Sequence, residues 1–231
     1  MIRNYTEFCS ELLKAGFSGA VGGRDDGVFG LLRYGWGAQD ESSLYWHTDD
    51  PDTDPWLWRV RVLDERDDVA YSKVFYRKAG YITKDWYPYF LAARRDGRSF
   101  DEAYADGRLS SSAKRIYETL SASGPLPVDD IKLMGGFHRD DKSRFERALA
   151  ELQMGLYITM CGQREKRGRT GEQYGWPSMM YCTAEQFWPA DVFERADALS
   201  REEAGEAITG RVLMLNPSAD RKKIVKFIYG R

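Results

Sequence analysis

"SSSAKRIYETLSASGPLPVDDIKLMGGFHRDDKSRFERALAELQ", residues 110–153, carries three helix signatures in succession. The opening serines can accept hydrogen bonds from the free N–H groups of a first helix turn. Ala113, Ile116, Tyr117 and Leu120 then recur at helical spacing, and Gly124 supplies a stop. Two prolines turn the chain into a second, short helix, with Asp129 and Asp130 at its positive end and Gly135 and Gly136 closing it. In the third helix Phe145, Ala148, Leu149 and Leu152 form one apolar stripe, while Ser143, Arg144, Arg147 and Glu151 point away from it.

Beyond this block the period changes. "LYITMCG" (156–162) and "PSMMYCTAEQF" (177–187) are rich in strand-forming residues, so they predict two antiparallel strands in which Cys161 and Cys182 can face each other. Between them lies "GQREKRGRTGEQYGW" (162–176), whose Gly162, Gly168, Gly171 and Gly175 punctuate an exposed loop. Three helices, a strand, a basic loop and a strand is the order of a winged helix-turn-helix, in which the third helix enters the major groove and the loop reaches phosphates or the minor groove. The expected DNA-contacting residues are Lys142, Ser143, Arg144 and Arg147 on the helix and Arg164, Lys166, Arg167 and Arg169 on the loop. Local charge serves such contacts whatever the total, because counterions are released where phosphates are met. The formal net charge is only -2, however, and acids interleave with the helix cations. A solvated loop and a protein-interaction winged helix are the alternatives.

Outward from this block, 231 residues can form one large domain or two small ones. The expected class is α+β: an N-terminal α/β region (1–106), a central winged helix-turn-helix (107–188) and a C-terminal helical extension (189–231). Toward the N-terminus, "TEFCSELLKAG" reads as a capped helix from Thr6 to Gly16 with Cys9 in its core face, and 27–37 and 42–48 read as strands. Asp54 and Pro55 open another helix, "DDVAYSKVFYRKAGYIT" is a strand pair, and a helix starting at Thr83 is kinked or restarted at Pro88, with Arg94 and Arg95 answering its dipole. Toward the C-terminus, Pro189 starts one helix, Ser200 with Glu203 makes a capping box for the next, and Ser218 caps a last basic helix.

Hydrophobic residues at 42% and charged residues at 30% argue against disorder over most of the chain. The absence of an apolar run of about 20 residues, of a signal-peptide core and of a cysteine framework points to a cytoplasmic protein with no membrane association. No cofactor is expected: phosphate-binding loops and nucleophile motifs are missing, and His47 and His138 are not near a cysteine. Asp49, Asp50, Asp52 and Asp54 can be read as a cation loop or as a solvated turn. Trp36, Tyr45, Trp46, Trp56, Trp58, Trp86, Tyr87 and Tyr89 are interleaved with Arg59, Arg61, Lys73, Arg77 and Lys78. That mixture suits a Trp-rich core or a surface that stacks unpaired bases, with Trp58 and Trp86 as the candidate stacking residues.

The stretches "RLSSSAKRIYETLSASGPLPVDDIKLMGGF" and "FERALAELQMGLYI", with "WLWRVRVLDERDDVAYSKVFYRKAGYI" before them, resemble the AlkZ-related proteins. These are small bacterial relatives of the winged-helix DNA glycosylases that remove alkylated or cross-linked bases. The resemblance covers roughly residues 30–190 and implies a protein that binds double-stranded DNA, with base excision as a further possibility. The larger glycosylases carry a Gln-x-Gln catalytic motif and a C-terminal barrel for which this chain is too short. The glutamines here, Gln39, Gln153, Gln163, Gln173 and Gln186, form no such motif, so no catalytic residue is assigned.

Overall fold

The computed structural model of the protein describes residues 1–20, 27–36, 44–168 and 170–230. Helix α1 (Tyr5–Ala15) begins one residue before the expected start, because Asn4 supplies the cap by accepting the Glu7 N–H at 2.9 Å. It stops at Gly16, where φ is 91° and the indole of Trp86 fills the space a side chain would need. Strand β1 (Phe17–Gly19) follows. Helix α2 (Pro55–Glu65) starts as read, with Asp54 accepting the Trp56 N–H at 2.9 Å. Strands β2 (Val69–Phe75) and β3 (Lys78–Thr83) form the expected pair, turning through Tyr76 and Arg77.

Helix α3 (Tyr87–Arg95) starts at Tyr87 rather than Thr83. Pro88 lacks an N–H and fits only the first turn of a helix, which leaves Thr83 as the last residue of β3. Helix α4 (Phe100–Ala105), which the sequence reading passes over, is opened by a Ser99–Glu102 capping box.

The central block then runs α5 (Ser111–Ser123), β4 (Leu126–Pro127), α6 (Val128–Met134), a 3-10 turn at Arg139–Asp141, α7 (Lys142–Met154), β5 (Ile158–Arg164) and β6 (Ser178–Thr183). Helix α5 has the expected serine cap and glycine stop. Helices α8 (Ala184–Phe187), α9 (Ala190–Asp197), α10 (Arg201–Leu215) and α11 (Arg221–Tyr229) close the chain. The Ser200–Glu203 box is present, but α11 is capped by Asp220, which accepts the Lys223 N–H at 2.9 Å. Ser218 instead donates to Asn216.

Mixed helix and sheet place the protein in the α+β class. The described strands form one six-stranded sheet in the order β1-β3-β2-β5-β6-β4, with every neighbouring pair antiparallel. Alternation along β2 serves two layers: Val69 and Tyr71 join the core built with α1, α2, α5 and α7, while Ala70 and Val74 join the core built with α3, α10 and α11. Strand β2 meets β5 at Tyr71 and Met160, so the central block and the N-terminal strands share one sheet. Of the segments expected as strands, 27–37 and 42–48, residues 37, 42 and 43 lie outside the described residues; the described ones show only isolated bridges, Ile2 with Tyr34 and Trp36 with Leu44. Val28, Phe29, Leu32 and Leu44 are buried all the same, while Trp36, Tyr45 and Trp46 are exposed. Among the described residues, no helix is long and apolar enough to cross a membrane.

Candidate nucleic-acid interface

Helix α7 is held from three directions. Phe145, Ala148, Leu149 and Leu152 are buried as the apolar stripe requires. Glu151 accepts the Ser110 N–H at 2.9 Å and its hydroxyl at 2.7 Å, tying α7 to the start of α5. Gln153, fully buried, donates to the Leu149 carbonyl and accepts from the Ser72 hydroxyl at 2.8 Å and the Lys73 N–H at 3.0 Å. Those bonds fix the end of α7 to β2. Arg94 and Arg95, expected to answer the dipole of their own helix, turn inward instead: Arg94 donates to the Met154, Phe227 and Ile228 carbonyls, and Arg95 to Leu156 and Glu185.

The opposite face of α7 is open. Lys142, Ser143, Arg144 and Arg147 are all exposed on it. Arg144 pairs with Asp141 at 3.0 Å, while the side chains of Lys142 and Arg147 have no hydrogen-bond or ion-pair partner among the described residues. Arg115 fixes the turn leading into α7 by donating to the Gly135 and Gly136 carbonyls and covering the Phe137 ring.

The basic loop is less free than its composition suggests. Arg164 pairs with Asp130 at 2.8 Å and Lys166 with Asp129 at 3.7 Å, so the first turn of α6 holds the hairpin. Arg167 pairs with Glu165 at 3.3 Å, and Arg169 lies outside the described residues. These pairs are exposed, and such pairs contribute about 0–1 kcal/mol each, little enough for phosphates to replace the acids. At the hairpin's base, Cys161 is the extra residue of a bulge between Met160 and Gly162, and Cys182 on the opposite strand pairs with Thr159. Both cysteines are free thiols.

The aromatic residues divide between core and surface. Trp58 is fully buried, stacked on Phe8 at 5.2 Å with its indole N–H donated to the Pro51 carbonyl, and offers no face to a base. Trp86 packs against Phe17 and Tyr89 within the second core layer. Of the cluster named from the sequence, Trp36, Tyr45 and Trp46 are exposed and Trp56 is half-buried, while the exposed Trp176 and Tyr174 lie outside that cluster. Trp56 and Trp176 meet edge-on at 6.4 Å, joining α2 to the hairpin loop, and line a cleft of about 690 Å³ with Arg59, Asp64 and Gln163. Loss of hydration raises the Asp64 pKa above the ordinary carboxylate value, and Glu65 adds to the shift.

In the acidic loop beside this cleft, two carboxylates are engaged in local hydrogen bonds. Asp50 accepts from Thr53 and the Asp52 N–H, and Asp54 is a buried helix cap that also accepts the Thr48 N–H. Among the described residues, no group of three or more His, Cys, Asp or Glu side chains is placed to hold a metal ion.

These features define an α+β protein with an exposed basic helix face and a basic hairpin braced by a neighbouring helix. The chain belongs to the AlkZ-related family, whose model matches residues 2–229, well beyond the stretch that carries the resemblance in sequence. At the level of the family, this suggests a DNA-binding protein related to DNA repair. Neither the curated proteins nor the solved structures give a match.

Proposed function

We propose that this chain is a winged-helix protein that binds double-stranded DNA in the recognition of alkylated or cross-linked sites. Helix α7 is the element that enters the major groove, and the loop between β5 and β6 is the wing. The exposed, unpaired Lys142 and Arg147 on a helix otherwise locked into the core carry the proposal. A rigid helix that presents cations to solvent is ready to meet phosphates without reorganising. Antiparallel pairing of β4 with β6 supports it further, since it closes the short strand between α5 and α6 onto the hairpin. Residues 107–188 are the binding unit under this proposal, with 1–106 and 189–231 as its flanking parts.

A protein partner is a second reading with its own observation: Leu133 and Met134, at the end of α6, are 79% and 56% exposed. Apolar side chains of that size, side by side in water, mark interaction surfaces. Fluorescence anisotropy on undamaged and alkylated duplexes at two salt concentrations, with released base scored in the same samples, tests the DNA proposal. Salt-sensitive binding is expected, tighter on the alkylated duplex. Absence of binding to either duplex at low salt overturns it and leaves the protein-partner reading.

A further inference from the structure

Five rings follow one another in a chain of contacts. Trp36 stacks on Trp46 with centroids 5.4 Å apart, Trp46 lies 6.4 Å from His47, His47 lies 5.1 Å from Trp56, and Trp56 lies 6.4 Å from Trp176. Trp36, Trp46 and Trp176 are 45%, 39% and 73% exposed, unusual for the side chain with most to gain from burial. The Arg59 guanidinium sits 3.6 Å from the Trp56 ring centre and lines the cleft that Trp56 shares with Trp176.

We infer that this row is a binding path for unpaired DNA bases, continuous with the duplex site proposed above, on which the inference rests for its geometry. Aromatic faces in series beside cations are the chemistry that holds a single strand: bases stack on the rings whatever their sequence, and arginines meet the backbone or stack in turn. The row ends at Trp176, on the same hairpin loop that carries Lys166 and Arg167, so a strand leaving a duplex bound at the loop would reach the rings directly. In the loop between His47 and Trp56, Asp50 and Asp54 are committed to local hydrogen bonds, while Asp49 and Asp52 are exposed. A protein partner could bury the same rings and the same guanidinium; the cations Lys166 and Arg167, on the loop where the rings end, favour a polyanion. The chain therefore recognises junctions at which paired DNA opens into a single strand.

The test compares three labelled probes on the full chain: a blunt duplex, the same duplex with a single-stranded dT tail, and the dT strand alone. The tailed duplex is expected to bind at least about fivefold more tightly than the blunt one, the gain from stacking a single base. Trp176→Ala and Trp46→Ala, both at exposed positions, are each expected to remove most of that gain. Trp46→Ala should leave blunt-duplex affinity unchanged, and circular dichroism melting should confirm that both variants fold. Equal affinity for blunt and tailed duplexes, or variants that keep the full gain, overturns the inference while leaving the duplex proposal intact. Binding of the dT strand that depends on the two tryptophans, without binding of the blunt duplex, upholds the ring path and overturns the duplex proposal instead.

Discussion

Arg164, the last residue of β5, is bound to Asp130 in the first turn of α6 across 2.8 Å, with Lys166 and Asp129 making a parallel link at 3.7 Å. The cations that make the hairpin loop conspicuous in sequence are thus partly neutralised by the helix beside it. Any phosphate that binds there must displace a carboxylate.

Asp129→Asn combined with Asp130→Asn is accordingly expected to strengthen duplex binding. It should also steepen the dependence of log affinity on log salt, by about 0.9 for each further phosphate that the freed cations neutralise. Stability should fall by about 1–3 kcal/mol, the combined scale of two exposed ion pairs and the loss of two carboxylates from a helix N-terminus. Salt titration by anisotropy and a denaturant melt check the two halves.

Gln153→Ala should destabilise the protein by about 1–3 kcal/mol, because it removes the acceptor of the buried Ser72 hydroxyl and the Lys73 N–H. Urea unfolding measures this loss. Since these bonds anchor α7 to β2, the variant should also bind duplex more weakly even at temperatures where it remains folded.

Arg94→Met keeps the bulk and apolar stem of the side chain while removing donors to three carbonyls at the ends of α7 and α11. A loss of about 1.5–3 kcal/mol is expected, the scale of a charge-assisted hydrogen bond. Hydrogen exchange should show the increased opening concentrated in α11.

Glu203 is held below the ordinary carboxylate pKa, first by its hydrogen bond from the Ser200 hydroxyl and then by one from the Ser200 N–H. A depressed carboxylate stabilises the fold above its unfolded pKa and loses that contribution as pH falls through the depressed value. Glu203→Gln should therefore melt below the wild type near neutral pH, with the gap closing as the solution is acidified below about pH 4. Melting curves across that range check the sign.

Elements fixed by local chemistry were legible in the sequence. Asp54 with Pro55, Ser110 with Gly124, and Ser200 with Glu203 each marked a helix end that the structure keeps. The Ser99–Glu102 pattern marks α4 in the same way and was there to be found. Where two local candidates competed, proximity decided: Asp220, adjacent to α11, caps it in place of Ser218. Features set by distant partners were not legible. Strand β1 is three residues that exist as a strand only because β3 lies alongside. Arg94 and Arg95 follow carbonyls supplied by residues 60 or more positions away. For the site, the stripe on α7 left Ser143, Arg144 and Arg147 to solvent as read, but Glu151, read with them, is half-buried and bonded to Ser110, and nothing local announced that Asp129 and Asp130 would cross to the hairpin. Trp58 lies with Val62 on the buried side of α2, and that i, i+4 spacing was the available sign that it belongs to the core. The exposure of Trp176 and its contact with Trp56 arise from the docking of the hairpin on α2.

The proposed role of α7, presenting its cations to duplex DNA, is tested most directly by the salt dependence of duplex affinity for the wild type and for Lys142→Glu combined with Arg147→Glu. Both side chains are exposed and unpartnered among the described residues, so the variant should fold with an unchanged melting temperature. Weaker binding is expected, with a slope of log affinity against log salt shallower by about 0.9 for each phosphate no longer neutralised. Affinity and slope that both survive the double charge reversal would contradict that role.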